Sequence, residues 1–354
     1  MLFPPKSWVL CILAFSIIVY LLVVNECGWS SDINYYSDSK HYSNELTTSK
    51  QRYLSSRLGT PTRLGNHLFE LSSILGIARS LNRTPVFFIE DNGYKKELLD
   101  TNQTIPGLID QFLIINGKVP ESIRNTVFHT RCCIFQDPRV LENINDKHIH
   151  LTGTLYQSYN TFPKCEMSNF VGSKNRQMIT LDYRNPMRKL ITCVHARRGD
   201  FLAVGFQAAD DHFIREALKY IEKKENIKNR RKVTVIFGDD VKFMKAIFND
   251  TVLSNDKSAQ NSTSTHFVSQ NSPSDDIIYS KSNCDVVLIS ASHSSFGWWI
   301  GYFSLKNRVY YMDMRVYYVG ALKVGKINIH DYFMPHWTPL KFAADNQTIV
   351  IGDK

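Results

Sequence analysis

The residues best suited to chemistry are two adjacent arginines in the string His195-Ala196-Arg197-Arg198-Gly199-Asp200, which follows directly on the apolar run Leu190 to Val194. That run reads as a buried strand. Two neighbouring guanidiniums resist burial unless something anionic satisfies them. Arginine grips phosphate oxygens in pairs, and the glycine beside them allows close backbone approach. The chemistry implied is the holding of a phosphate-bearing substrate. The plainer alternative is a surface turn in which Asp200 pairs with an arginine or caps the next turn.

Two further strings sit in comparable places. His293-Ser294-Ser295 precedes a helical run containing Gly297-Trp298-Trp299. Serine hydroxyls and free amides at a helix start either bind phosphate or simply cap the helix. The two tryptophans are expected in the core rather than stacked on sugar. Gly238-Asp239-Asp240 ends another apolar run. Asp239 and Asp240 would hold a ribose or guanine, or cap the following helix; without further ligands they are a poor metal signature, and no metal site is expected. There is no glycine-rich phosphate loop, dinucleotide fingerprint or hydrolase elbow, so phosphate must be held by arginine and a helix end.

Strands and helices must position these strings. Leu190 to Val194, Lys232 to Phe237, Cys284 to Ile289 and Arg308 to Met312 read as strands. Helices are predicted at 209–223, 241–248 and 296–303, with a polar insertion at 251–276. Strand, polar loop and helix recur in that order, which predicts a doubly wound, mostly parallel sheet. Ligands of such sheets bind beyond the carboxyl ends of the strands, so the three loops should converge on one crevice. Earlier in the chain, Asn66 is a predicted N-cap for a helix with Leu68, Leu71, Leu75 and Ala78 on one face. Pro85 ends that helix, and Val86 to Ile89 is a strand. The pattern over 104–160 alternates weakly and does not define a topology.

The bulk properties frame this domain. The chain has 354 residues, 43% hydrophobic and 21% charged, with a formal net charge of +9. That excludes a disordered chain and favours anionic partners, with nucleic acid, membrane surface and sugar nucleotide all admissible. Ser7 to Val24 carries no charge. It reaches the lower end of the roughly 17–25 residues that span a bilayer as helix, and is long for a signal peptide. Residues 1–6 are therefore expected in the cytosol, 7–24 as an uncleaved anchor and 25–58 as a polar stem. Asn82, Asn102, Asn261 and Asn346 head glycosylation sequons, usable only on a luminal domain. Of the cysteines, Cys193 and Cys284 lie in apolar runs and read as buried free thiols, while Cys132 or Cys133 could bridge to Cys165.

Taken in order, these strings resemble those of the alpha-1,2-fucosyltransferase family. Leu64-Gly65-Asn66-His67-Leu68-Phe69 matches that family's Leu-Gly-Asn-Gln-hydrophobic-Phe except at His67, and His195 to Phe201 matches its His-Val-Arg-Arg-Gly-Asp-Tyr. Phe237 to Asp240, His293 to Trp299 and Gly153 to Tyr159 follow further family segments. The chain departs from the pattern at His67, Gly238, His293 and Gly297, where the family has Gln, Ser, Asn and Ser.

The resemblance implies a variant two-domain α/β glycosyltransferase fold (GT-B-like) behind a transmembrane helix. Its acceptor-side subdomain would span 59–188, a Rossmann-like donor subdomain 189–345 and a tail 346–354. It implies transfer of fucose from GDP-fucose to galactose on a glycoprotein or glycolipid glycan, with inversion and without a metal or other cofactor. The setting would be a single-pass Golgi membrane protein with a luminal domain and no nucleic-acid partner. Arg198 would hold the β-phosphate, with Arg197 supporting the loop or sharing the phosphate. Asp239, Asp240, Ser294 and Ser295 would contact the nucleotide or its loop. Asn66 and His67 would lie on the acceptor side, and His195, His67 and Asp200 are the candidate bases. The alternative is a catalytically altered, membrane-anchored relative that binds glycan or nucleotide without turnover.

Overall fold

The computed structural model describes residues 35–36, 50–57, 63–90, 92–128, 132–153, 155–163, 189–225, 231–249, 264–317 and 327–353. Short apolar runs in the first half form a parallel sheet: β1 Tyr35–Tyr36, β2 Tyr53–Ser56, β3 Thr84–Ile89, β4 Leu113–Asn116, β5 Arg124–Thr126 and β6 His148–Leu151. Their order is β1-β4-β3-β2-β6-β5. Helix α1, Leu64–Ser80, joins β2 to β3, and α2, Asn92–Thr104, joins β3 to β4. Polar Glu70, Ser72 and Ser73 are buried on α1 along with its apolar face, because the helix lies between its own sheet and the second half of the molecule.

The second half is the predicted doubly wound sheet. Its strands are β7 Lys189–Ala196, β8 Arg231–Gly238, β9 Ser264–Val268, β10 Val286–Ile289, β11 Val309–Met312, β12 Thr338–Phe342 and β13 Ile349–Ile351. The intervening helices are α3 Gly199–Val204, α4 Asp211–Lys224, α5 Val241–Asn249, α6 Pro273–Asn283, α7 Ser295–Tyr302, α8 Met314–Tyr317 and α9 Ile329–Tyr332. The order is β13-β12-β11-β10-β7-β8-β9, parallel except for β12 with β13. Counted from β7, the six parallel strands run 3-2-1-4-5-6, so the winding reverses between β7 and β10. A crevice opens at such a reversal, outside the carboxyl ends of the two strands.

Several expectations change. The stem does not reach residue 58: Tyr53–Ser56 is a fully buried strand with neighbours on both sides, because its Tyr, Leu and two serines satisfy both faces of the sheet. Asn66 is not an N-cap; Arg63 holds that position, and Asn66 lies inside the first turn. The polar insertion ends early, since Ser264–Val268 adds an edge strand and α6 begins at Pro273. Edge strands bury one face only, which is why this one reads as polar. Nor is 346–354 a loose tail, since Ile349–Ile351 pairs with β12.

Cys193 and Cys284 are bonded rather than free, their Cα atoms 5.7 Å apart, and Cys132 is joined to its neighbour Cys133. Cys165 lies outside the described residues, as do the expected anchor 7–24 and Asn261. Asn82, Asn102 and Asn346 are exposed. Among the described residues no helix is long and apolar enough to cross a membrane.

The two halves share one core. Phe69 of α1 packs on Trp298 and Trp299 of α7, with ring centroids 4.6 and 5.0 Å apart. Trp298 Nε1 donates to Tyr332 O, and Trp299 Nε1 donates to Gly65 O at 2.9 Å. Both tryptophans are completely buried, as the core reading expects. On the first sheet, Ser55 Oγ lies 2.8 Å from His148 Nε2 and 2.8 Å from His150 Nδ1, all buried.

Candidate active site

The carboxyl end of β7 turns straight into Arg197 and Arg198, and neighbouring elements lock both. Arg197 Nη2 donates to Asp200 Oδ1 at 2.6 Å, and its Nη1 pairs with Asp239 Oδ2 at 3.0 Å. Asp239 Oδ1 also accepts from the Arg198 backbone amide at 2.9 Å. A Cβ on Gly199 would fall 2.4 Å from Asp239 Oδ2. The close approach that Gly199 permits is therefore by a carboxylate that braces the loop. Asp239 stands at the end of β8, so the brace ties together two neighbouring strand ends.

Arg198 differs from Arg197. Its Nη1 donates to Ala209 O at 2.7 Å, and its guanidinium lies 4.2 Å over the Phe243 ring. Its Nε is buried without a hydrogen bond, with Asp240 Oδ2 standing off at 3.5 Å. Asp240 is committed elsewhere, capping α5 through Phe243 N at 2.9 Å. Arg197 is thus held on both arms by carboxylates, whereas Arg198 keeps an unspent donor. Among the described residues no group of three or more His, Cys, Asp or Glu side chains is placed to hold a metal ion.

His195 takes a different part from the one expected. It is 1% exposed, its pKa is pushed down to about 3 by burial, and its Nε2 lies 3.2 Å from Ser294 Oγ. A ring so enclosed has no surface from which to take a proton; it props the start of α7. Ser294 caps that helix through Gly297 N, and a Cβ at Gly297 would lie 2.4 Å from His195 Nδ1. At Gly238 a Cβ would lie 2.1 Å from Ala196 O. In this chain, two of the four departures from the family strings are thus places where a side chain does not fit. Asp200 is half exposed and bound to Arg197, with Arg63 3.8 Å away, so it orients the loop.

The first sheet contributes from the opposite side. Asn66 Oδ1 accepts from Ser295 Oγ at 2.5 Å and from Gln157 Nε2 at 2.7 Å. The residue after β6's return loop, the first turn of α1 and the first residue of α7 therefore meet at one carbonyl oxygen. His67 points elsewhere: it is buried, with Nδ1 2.9 Å from Glu97 Oε2 on α2. It is not gathered with Asn66, Ser294, Ser295 and the arginines. Glu97, Gln157 and Asp276 carry no motif of their own and escape pattern reading. Asp276, in the first turn of α6 beyond the ends of β8 and β9, accepts from Ser269 Oγ at 2.5 Å. Burial pushes its pKa up to about 7.

Comparison with known proteins agrees with this geometry. Residues 156–341 match the model of glycosyl transferase family 11. A putative galactoside 2-alpha-L-fucosyltransferase of Caenorhabditis elegans, svh-11, is 43% identical over 305 residues, covering 85% of this chain and 82% of that protein. A galactoside 2-alpha-L-fucosyltransferase of the same organism is 29% identical, covering 78% and 74%. A crystal structure of POFUT1 in complex with GDP-fucose superposes with a TM-score of 0.44 at 9% identity, covering 76% of this chain and 99% of that one. The matched family region contains the arginine loop, the Asp239 brace and the Ser294 cap, and on this evidence the chain belongs to glycosyl transferase family 11, the alpha-1,2-fucosyltransferases.

Proposed function

We propose that the protein transfers L-fucose from GDP-fucose to the 2-hydroxyl of a glycan galactose, with inversion, in the lumen of the Golgi. The observation that carries this reading is Arg198. It sits at the reversal point of a doubly wound sheet with a buried Nε that makes no hydrogen bond. A diphosphate there meets a fixed cation, and Ser294 and Ser295 at the start of α7 lie on the neighbouring strand end. Negative charge grows on the departing GDP as its bond to the sugar stretches, so Arg198 stabilises the transition state more than the ground state. Arg197 and Asp239 hold Arg198 in place at no cost in reorganisation.

The acceptor side follows from the same geometry. Inversion requires the galactose hydroxyl to attack from the face opposite GDP, across the crevice where Asn66 and Gln157 meet Ser295. The two facing α/β halves are those of a GT-B-like enzyme. The family relatives named above support a galactoside acceptor. The disulfide between Cys193 and Cys284 and the exposed sequons at Asn82, Asn102 and Asn346 support an oxidising, glycosylating compartment. The uncharged 7–24 run supports a type II anchor.

The test is incubation of the purified full-length chain with labelled GDP-fucose and a panel of β-galactosides, followed by linkage analysis. Product with fucose on the galactose 2-hydroxyl is expected. A folded protein that binds GDP but transfers to no member of the panel would instead be a binding relative.

A further inference from the structure

The segment that follows the arginine loop is apolar where it faces solvent. Leu202 is 59% exposed, Val204 61% and Phe206 40%. Isolated exposed apolar residues need no explanation. These three fall within one short stretch, and that stretch is built to present them. A left-handed turn at Gly205 (φ +76°) ends α3, and Phe206 N donates back to Phe201 O at 3.1 Å. The Phe206 ring lies almost flat on His293, with centroids 5.2 Å apart and planes at 27°, and packs against Phe201 at 5.2 Å. The chain then returns to the arginines: Ala209 N donates to Arg197 O at 2.8 Å, and Ala209 O accepts from Arg198 Nη1. One ring face is thus backed by the residue preceding Ser294, and the segment is tied at both ends to the arginine loop.

We propose that Phe206, seated on His293 and flanked by Leu202 and Val204, is a carbohydrate-stacking platform that holds the acceptor galactose beside the arginine loop. This rests on the reading of the crevice as a fucosyl-transfer site. Galactose presents a patch of C–H bonds on one face of its ring, and an aromatic face is the surface that such a patch covers best. The diphosphate of the donor needs cations and amide donors, which Leu202, Val204 and Phe206 lack. A neutral acceptor sugar has no such need, so the apolar lip suits the acceptor and not the nucleotide. An aromatic pair that is already assembled loses little side-chain freedom when the sugar arrives.

Two variants of the full chain test this, each by saturation-transfer NMR with N-acetyllactosamine in the presence of GDP and by its Michaelis constants. Phe206→Leu keeps an apolar contact on His293 but removes the ring face; Phe206→Trp keeps a face. We expect F206L to weaken acceptor binding and raise acceptor KM by about tenfold, with GDP affinity within about twofold of wild type. F206W should restore acceptor binding. Unchanged acceptor affinity in F206L, loss of GDP affinity instead, or no sugar binding by the wild type would each overturn the platform. Wild-type transfer with an unaltered acceptor KM in F206L removes the platform alone. Ring-dependent sugar binding without any transfer keeps the platform and removes the transferase reading.

Discussion

Arg197 and Asp239 pair across the ends of two adjacent strands, Nη1 to Oδ2 at 3.0 Å, and the same carboxylate accepts the Arg198 amide through its other oxygen. One aspartate therefore sets both the side chain of the first arginine and the backbone of the second. Replacing Asp239 by Asn keeps the size but removes the charge that faces Arg197. We expect kcat/KM to fall on the order of 100-fold, with the loss expressed in kcat as well as in donor KM, since the loop that carries Arg198 loses its brace. An unchanged kcat would show that Asp239 serves binding alone.

Arg198 should be less replaceable than its neighbour's bracing carboxylate. Its Nη1 is engaged with Ala209 O while its Nε is spare, so two separate nitrogens of one planar fork are in use at once. Lysine offers a point charge without that fork. Arg198→Ala and Arg198→Lys are both expected to lower kcat/KM by about 100- to 1,000-fold, the scale of removing one preorganised donor from developing charge. Recovery of most activity in R198K would mean that charge alone suffices.

How far this site could be read from residue order differs by element. The arginine loop and the Ser294 cap were legible because each follows an apolar run and is polar where a core would be apolar. The second sheet was legible because strand, loop and helix alternate. The first sheet was not: β5 and β6 are short, and His148 and His150 put polar side chains inside it. A histidine whose partner is a buried serine looks, in sequence, like a surface residue. The same ambiguity misassigned His195, whose place beside two arginines suggested a base although its ring is spent on Ser294. Asn66 was placed on the correct side, but its partners, Ser295 and Gln157, are distant in sequence and share no pattern with it.

Buried histidines give the fold a pH dependence with a definite sign. Burial lowers the pKa of His195 and His148 to about 3 and of His150 and His293 to about 4, from an ordinary 6.5. Below 6.5 the unfolded chain takes up protons that the folded chain does not. Stability is therefore complete above that pH and declines as pH falls toward 4, by about 1 kcal/mol per histidine near pH 5.5. Asp276, raised to about 7, works against this: folded, it keeps a proton that the unfolded chain has released, which favours folding as pH falls from 7. Four groups outweigh one. Urea unfolding at about pH 7 and pH 5.5 should show lower stability at the acid value, and His148→Asn should lessen the difference. Equal stability at both would mean that these rings are not neutral when folded.

The contact of Asn66 with Ser295 joins the two sheets at the crevice, and its energetics separate a structural joint from a catalytic one. Asn66 Oδ1 takes hydrogen bonds from both Ser295 and Gln157, so removing either donor leaves the other in place. Removing Asn66 orphans both donors at once. Ser295→Ala should therefore cost little stability, about 1 kcal/mol, and Asn66→Ala more, about 2 kcal/mol. In the double variant the effects should fall short of their sum by about 0.5–1 kcal/mol, because one shared bond is counted twice in the single variants. If the joint also aligns donor with acceptor, the same shortfall appears in the activation free energy for transfer, measured as kcat/KM for all four proteins. Additive kinetics beside coupled stability would assign the contact to folding alone. Coupling in both would make Asn66 the residue through which the acceptor half sets its distance from the arginine loop.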